Sequence, residues 1–113
     1  MSLIYKILRS AEMADFVAAG RSAGAPVDLA DGYVHLSTAA QAPETAVRHF
    51  AGVDGLWLVA CDPGAMGAAL TWEPSRGGAL FPHLYRALDR RDVIWARPLP
   101  LGPDGHVWPE EVS

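Results

Sequence analysis

The sequence contains a single cysteine, Cys61, among 113 residues. One cysteine cannot form an intramolecular disulfide, which is typical of a protein from a reducing compartment. Cys61 ends the apolar run of residues 56–61, so we expect a buried, unreactive thiol. No hydrophobic run approaches the roughly 20 residues that span a bilayer, and the N-terminus lacks the features of a signal peptide. These absences predict a cytoplasmic protein with no membrane partner.

Basic residues are also scarce. The chain has 9 lysines and arginines against 13 acidic residues, a net charge of −4. A surface that binds nucleic acid or anionic lipid generally needs an excess of positive charge. We therefore expect no nucleic-acid partner, while a small local site for one phosphate-bearing molecule stays open. The sequence does not fix the oligomeric state.

Several common site motifs are missing. There is no glycine-rich phosphate loop and no Gly-x-Ser-x-Gly elbow. The four histidines show no short-range spacing typical of metal ligands, and Cys61 has no partner cysteine. The sequence therefore predicts neither a bound metal nor a certain cofactor.

The pattern of apolar residues predicts a single α+β domain spanning residues 1–113. Half of the residues are hydrophobic and 19% are charged, a globular composition. Short, mostly antiparallel strands are predicted together with two helices in the N-terminal half, near residues 11–19 and 39–50. Residues 20–32 are rich in Gly, Ala, Pro and Asp and predict a loop. Residues 98–113, rich in proline and glycine, predict an irregular tail.

Two short stretches, residues 31–38 and 81–86, carry most of the chemical information. Each is predicted to contain a strand that turns a histidine and an aromatic ring toward one side, because strand side chains alternate between faces. The shared faces hold Tyr33, His35 and Ser37 in the first stretch, and Phe81, His83 and Tyr85 in the second. If the two rows face a common space, they form a polar pocket.

The first stretch runs into a predicted helix start. Thr38 and Gln41 have the spacing of a capping box, in which each side chain satisfies a backbone amide of the other. Free amides at a helix start suit a phosphate or carboxylate, which His35, Ser37 and Thr38 could help to bind. Alternatively, Thr38 only caps the helix and His35 makes one structural hydrogen bond.

Two further candidates lie in the second half of the chain. His83 lies between Phe81 and Tyr85, where it is either a site residue or a histidine of an aromatic cluster. Glu73 ends a predicted strand before a loop, a common position for a catalytic carboxylate. It could equally be a solvated strand end.

The chain resembles a known family in four blocks. They are Ile4-Tyr-Lys-Ile7, Asp31-Gly-Tyr-Val-His-Leu-Ser-Thr38 followed by Gln41, Trp72-Glu73, and Phe81-Pro-His-Leu-Tyr85. Together they resemble the small bacterial and plant proteins of the domain-of-unknown-function family nine-five-two, from about Ile4 to Trp95. That family is thought to be similar in fold to the ADP-ribosylation fold of NAD-using transferases and RNA 2′-phosphotransferases. The resemblance implies two small sheets with a cleft for NAD or an ADP-ribosyl group.

The resemblance implies that His35, Ser37 and Thr38 belong to the middle motif of the site and that Glu73 is a late carboxylate. Together with the two histidine rows, this leads us to expect His35, Glu73 and His83 as catalytic residues. The expected ligand-binding residues are Lys6, Tyr33, Ser37, Thr38, Arg76 and Tyr85. NAD would then be a substrate rather than a resident cofactor, and the reaction would be ADP-ribosyl transfer or hydrolysis.

One position departs from the family pattern. Lys6 stands where the first strand of the family commonly has a histidine. A lysine can hold a phosphate as a point charge, but at neutral pH an ordinary lysine is not a neutral acid–base group. This favours binding over catalysis, and it leaves a non-catalytic ligand- or protein-binding module as the alternative function.

Overall fold

Eleven strands and four α-helices form the part of the chain that the computed structural model describes, residues 2–112 apart from the side chain of Arg76. The strands are β1 (Ile4–Leu8), β2 (Arg21–Ser22), β3 (Val34–His35), β4 (Ser37–Thr38), β5 (Leu56–Cys61), β6 (Leu70–Pro74), β7 (Leu80–Leu84), β8 (Leu88–Asp89), β9 (Val93–Leu99), β10 (Leu101–Gly102) and β11 (Gly105–His106). The helices are α1 (Ser10–Ala19), α2 (Pro26–Asp31), α3 (Ala42–Phe50) and α4 (Pro63–Met66). Short 3₁₀ turns cover Gly67–Ala69, Arg76–Gly78 and Arg90–Asp92. The α+β class is confirmed, and no described helix is long and apolar enough to cross a membrane.

The larger sheet has four antiparallel strands in the order β4-β1-β5-β9. Strand β5 pairs along its whole length with β1, from Ile4 opposite Cys61 to Leu8 opposite Trp57. Apolar residues on both faces bury the strand pair between two clusters: Ile4 and Leu8 pack on one side, Tyr5 and Ile7 on the other. As predicted, Leu56–Cys61 is a central buried strand.

A second sheet of three strands, in the order β3-β7-β6, shares a segment of chain with the first. Residues 34–35 pair with β7, whereas residues 37–38 pair with β1. Between them Leu36 is buried, and its backbone N–H donates to the carbonyl of Pro82. The two sheets therefore diverge from residues 34–38, and the space beside this segment is where a groove forms.

The prediction that residues 20–32 form a loop is wrong. The prediction of only two helices in the N-terminal half is wrong for the same reason. Strand β2 and helix α2 occupy part of this stretch. Pro26 begins α2, because its fixed φ suits the first helical turn and its missing N–H needs no partner there. The helix ends at Gly32, whose φ of +86° a residue with a side chain rarely adopts.

Two other expectations need correction. The irregular tail is wrong because β9 continues to Leu99 and β10 pairs with β11 in a hairpin. Pro98 is accommodated because β9 is an edge strand, where no amide is needed on the outer side. Two small sheets are also too few: β2–β8 and β10–β11 form additional two-stranded sheets within residues 2–112.

The turn before α2 offers a test of this part of the fold. A Cβ atom at Gly24 would clash with Asp28 Oδ2, whereas one at Gly52 meets nothing within 4 Å. Both glycines have positive φ. We expect Gly52→Ala to lower the free energy of unfolding by about 1–2 kcal/mol, because the alanine backbone is strained at positive φ. Gly24→Ala should lower the free energy of unfolding by roughly 3 kcal/mol or more, because its methyl group must also displace the buried carboxylate of Asp28 from its partners. Urea unfolding of both variants measures the difference, and equal losses would contradict the packing at Asp28.

Candidate functional site

The buried carboxylate of Asp28, in the first turn of α2, joins three elements. Its Oδ2 accepts hydrogen bonds from the backbone N–H of Ala25 and from Lys6 Nζ, each 2.7 Å long. Its Oδ1 lies 3.0 Å from the backbone nitrogen of His35 and 2.5 Å from His35 Nδ1. One side chain thus fixes α2 to β1 and to β3.

The charge of this carboxylate is matched within the protein. Burial alone raises the pKa of Asp28, but the hydrogen bond with His35 and the nearby charge of Lys6 outweigh it and lower the pKa to about 2. Lys6 is itself buried and also donates to the carbonyl of His35, at 3.2 Å. The ion pair with Asp28 therefore already balances the positive charge of Lys6 that a phosphate was expected to meet.

His35 contacts a second carboxylate on the other edge of its ring. Its Nε2 lies 2.9 Å from Asp31 Oδ2, while Nδ1 faces Asp28. The contact with Asp28 is a hydrogen bond, and the contact with Asp31 is an ion pair when the ring is protonated. A carboxylate thus lies against each ring nitrogen of His35, which anchors the ring to α2.

A second carboxylate–histidine pair lies on the adjacent strands. Glu73 Oε1 lies 2.8 Å from His83 Nδ1 and accepts a hydrogen bond of 2.6 Å from the hydroxyl of Tyr85. The hydrogen bonds from Tyr85 and then from His83 lower the pKa of Glu73. The bond to Glu73 raises the pKa of Tyr85 to about 12, so its hydroxyl remains protonated. His83 is 3% exposed.

The ring of Tyr33 links the two pairs. Its centroid lies 4.5 Å from that of His35, 4.1 Å from that of His83 and 5.2 Å from that of Tyr85. His35 and His83 stand opposite each other in the β3–β7 register, with ring centroids 5.5 Å apart. The two histidine rows of the sequence therefore lie side by side on one face of the smaller sheet.

A groove of about 780 Å³ runs beside this face. Its walls come from β1, β4, α1, α2, α3 and the smaller sheet. The polar and charged residues that line it are Lys6, Arg9, Glu12, Asp31, His35, Ser37, Thr45, His49, Ser75 and His83. Glu73, Tyr33 and Tyr85 do not line it but contact the histidines that do. The volume is in the range typical of small-molecule sites.

The remaining predicted site residues occupy different positions. Ser37 is buried, lines the groove and hydrogen-bonds Thr45 Oγ1 at 2.9 Å. Thr38 and Gln41 make the reciprocal hydrogen bonds of a capping box, but α3 begins after them at Ala42. Thr38 therefore stabilises a turn and does not line the groove. The side chain of Arg76 lies outside the described residues.

Asp28 was missed because its stretch was expected to be a loop. The signal is the proline at the start of α2 with an acidic residue two positions later, a pattern typical of a first helical turn. The partners of Asp28, Lys6 and His35, are distant in the sequence, so no local sequence pattern indicates that they bind it.

Two observations concern the thiol of Cys61 and the side chains that commonly bind metals. Burial raises the pKa of the Cys61 thiol to about 12, and the cysteine is fully buried, as expected of an unreactive thiol. No group of three or more His, Cys, Asp or Glu side chains suited to a metal ion occurs among the described residues.

Comparison with protein-family models identifies the family of this chain. A family model described as "Protein of unknown function (DUF952)" matches residues 7–96. The chain belongs to this family. Among curated proteins, none matches it.

Solved structures similar to this DUF952 protein come from Caulobacter crescentus. The crystal structure of protein CC0527 is 50% identical, covers 93% of this chain and 92% of its own, and superposes with a TM-score of 0.88. A double mutant of CC0527 gives the same values. The solution NMR structure of CC0527 has a TM-score of 0.83, covering 94% of this chain and 91% of its own. The same fold thus occurs in a relative both in the crystal and in solution.

The Asp28 network predicts a particular dependence of stability on pH. The folded-state pKa of about 2 lies below the unfolded value near 3.9, so the carboxylate stabilises the fold above about pH 4. That contribution, about 2–3 kcal/mol, is lost as the pH falls toward 2. Asp28→Asn should therefore lower the free energy of unfolding at pH 6 by more than it does near pH 2.

Urea unfolding across this pH range measures the difference between the two proteins. Asp15→Asn, at an exposed position of α1, is the matched control and should change the free energy of unfolding at pH 6 far less than Asp28→Asn does. An Asp28→Asn effect that stays constant from pH 6 to about pH 2 would contradict the proposed network.

Proposed function

We propose that the groove of this DUF952 protein binds a small molecule that contains an ADP-ribosyl group, such as NAD or ADP-ribose. The observation that carries the proposal is the polar strand face, with His35 and His83 lining a groove of about 780 Å³. Two sheets that diverge from one segment, with a groove beside it, are the arrangement that a likeness to the ADP-ribosylation fold implies. The site therefore supports a ligand of nucleotide size.

The lining of the groove offers complementary surfaces for such a ligand. The rings of Phe50 and Phe81 and the exposed side chain of Val27 supply apolar contacts for a base or a nicotinamide ring. The guanidinium of Arg9 lies 4.8 Å from the ring centre of Phe50 and also lines the groove. Since Asp28 neutralises Lys6, Arg9 is the better candidate to contact a phosphate.

The reaction we propose is transfer or hydrolysis at the ADP-ribosyl centre. In such chemistry positive charge develops on the ribose as its bond to the leaving group breaks, and fixed negative charge stabilises that state. Asp31 and Glu12 line the groove, and Glu73 contacts His83 next to it. The groove thus combines apolar walls with carboxylates, the combination that this chemistry requires.

A non-catalytic binding module on the same fold is the second candidate. The observation that favours it is that Lys6 is paired with Asp28, while carboxylates of Asp28 and Asp31 contact both ring nitrogens of His35. A site built on these groups alone could hold a ligand without transforming it.

Calorimetric titration with NAD and with ADP-ribose tests the proposal. Val27 lines the groove on α2, whereas Val17 on α1 does not; both are exposed, by 55% and 62%. We expect Val27→Trp to weaken binding by at least about tenfold, because the indole fills the groove, and Val17→Trp to leave it unchanged.

Release of nicotinamide from bound NAD would distinguish the enzyme from the binding module. No heat with either ligand at millimolar concentration would contradict the proposed ligand class. Equal weakening by the two tryptophan variants would show that a ligand binds elsewhere.

A further inference from the structure

We propose that His83 is the residue that exchanges a proton with the molecule in the groove. Glu73 is the positioning residue that fixes the tautomer and the orientation of the His83 ring. The proposal rests on the proposed function, since it assigns the proton transfer in the same groove. It follows from a difference between His35 and His83 in the contacts that their ring nitrogens make.

His35 and His83 both line the groove, but only one retains a ring nitrogen for a ligand. Carboxylates contact both nitrogens of His35. His83 contacts Glu73 through Nδ1, and no hydrogen bond to its Nε2 is found within the described part of the chain. The His83 side chain is 4% exposed, so an unpaired polar nitrogen there is costly unless it serves a ligand or water. Nε2 of His83 is therefore the available proton acceptor.

Glu73 determines which nitrogen of His83 accepts a proton. An ionised carboxylate accepts hydrogen bonds only, so the contact of 2.8 Å requires a proton on Nδ1. A neutral imidazole with its proton on Nδ1 has its lone pair on Nε2. Tyr85 fixes the same carboxylate oxygen by a bond of 2.6 Å, and the ring of Tyr33 packs 4.1 Å from that of His83. The imidazole is thus held in both tautomer and orientation.

The proton transfer can be written for hydrolysis of NAD. A water oxygen forms a bond to C1 of the nicotinamide-bearing ribose as its proton passes to Nε2 of His83. The bond from C1 to the nicotinamide nitrogen breaks, and its electron pair leaves with nicotinamide. His83 becomes an imidazolium beside the Glu73 carboxylate and then releases the proton to solvent. The products are ADP-ribose, nicotinamide and one proton.

The tautomer can be tested in the unmodified protein without a ligand. Long-range ¹H–¹⁵N NMR spectra of the histidine side chains distinguish a proton on Nδ1 from one on Nε2. For neutral His83 we expect the proton on Nδ1. In Glu73→Leu the preference for Nδ1 should be weakened or lost. A neutral His83 protonated on Nε2 in the unmodified protein would overturn the proposal, whatever the ligand.

The role in turnover is tested with NAD as the probe. His83→Gln should lower kcat for nicotinamide release by at least about 100-fold. The calorimetric Kd should stay within about threefold, because the lost interaction acts in the transition state. Glu73→Gln should lower kcat with the same unchanged Kd. The matched control is His106→Gln, since His106 bonds the carbonyl of Val53 outside the groove; it should leave both values unchanged.

The outcomes separate this inference from the proposed function. Binding of NAD with an undiminished kcat in His83→Gln overturns the role of His83 and leaves the binding site intact. Binding without turnover in the unmodified protein overturns the proton transfer and supports the module. Absence of binding overturns the proposed function and the NAD step together.

Discussion

The buried carboxylate of Asp28 is the constraint on which the rest of the site depends. It binds one cation from the first strand, both a backbone and a ring nitrogen of His35, and the amide that begins its own helix. Removing any one partner would leave charge or a polar group unmatched away from water, which proteins tolerate poorly. Helix α2 has only six residues, so its position against the groove depends on this carboxylate more than on its own helical stability. The wall of the groove and the orientation of His35 are therefore fixed by the same side chain.

The contacts with carboxylates also imply different roles for the two histidines. His35 and His83 face each other across two paired strands, and from sequence alone they are equivalent candidates. Two carboxylates engage His35 on both edges, whereas Glu73 engages His83 on one. A histidine held on both sides anchors a structure, and one held on a single side can pass a proton, as in other carboxylate–histidine pairs. Lys6 belongs with the anchoring group, since Asp28 balances its charge within the protein.

Local sequence patterns predicted the strands and the face that their side chains share, because alternation along a strand is a local property. The buried strand at residues 56–61 and the grouping of Tyr33 with His35 were predicted in this way. Helix α2 was missed because a short helix gives too few turns for a periodic pattern, and its glycine-rich surroundings indicate a loop. The ion pair of Lys6 with Asp28 joins residues 22 positions apart, and the bond of Glu73 with His83 joins two strands, so neither has a local signal. The DUF952 match identifies the family, while the assignment of roles depends on these long-range contacts.

An NMR titration of the ¹⁵N-labelled protein with ADP-ribose shows whether the groove beside the smaller sheet is the ligand site. A ligand bound in the groove should shift backbone amides on both walls, around Val27 and Asp31 on α2 and around His35 and His83 on the paired strands. The amides of the β10–β11 hairpin, which does not line the groove, should stay unchanged. Shifts confined to that hairpin, or no shifts at millimolar ligand, would show that the groove is not the site for ADP-ribose.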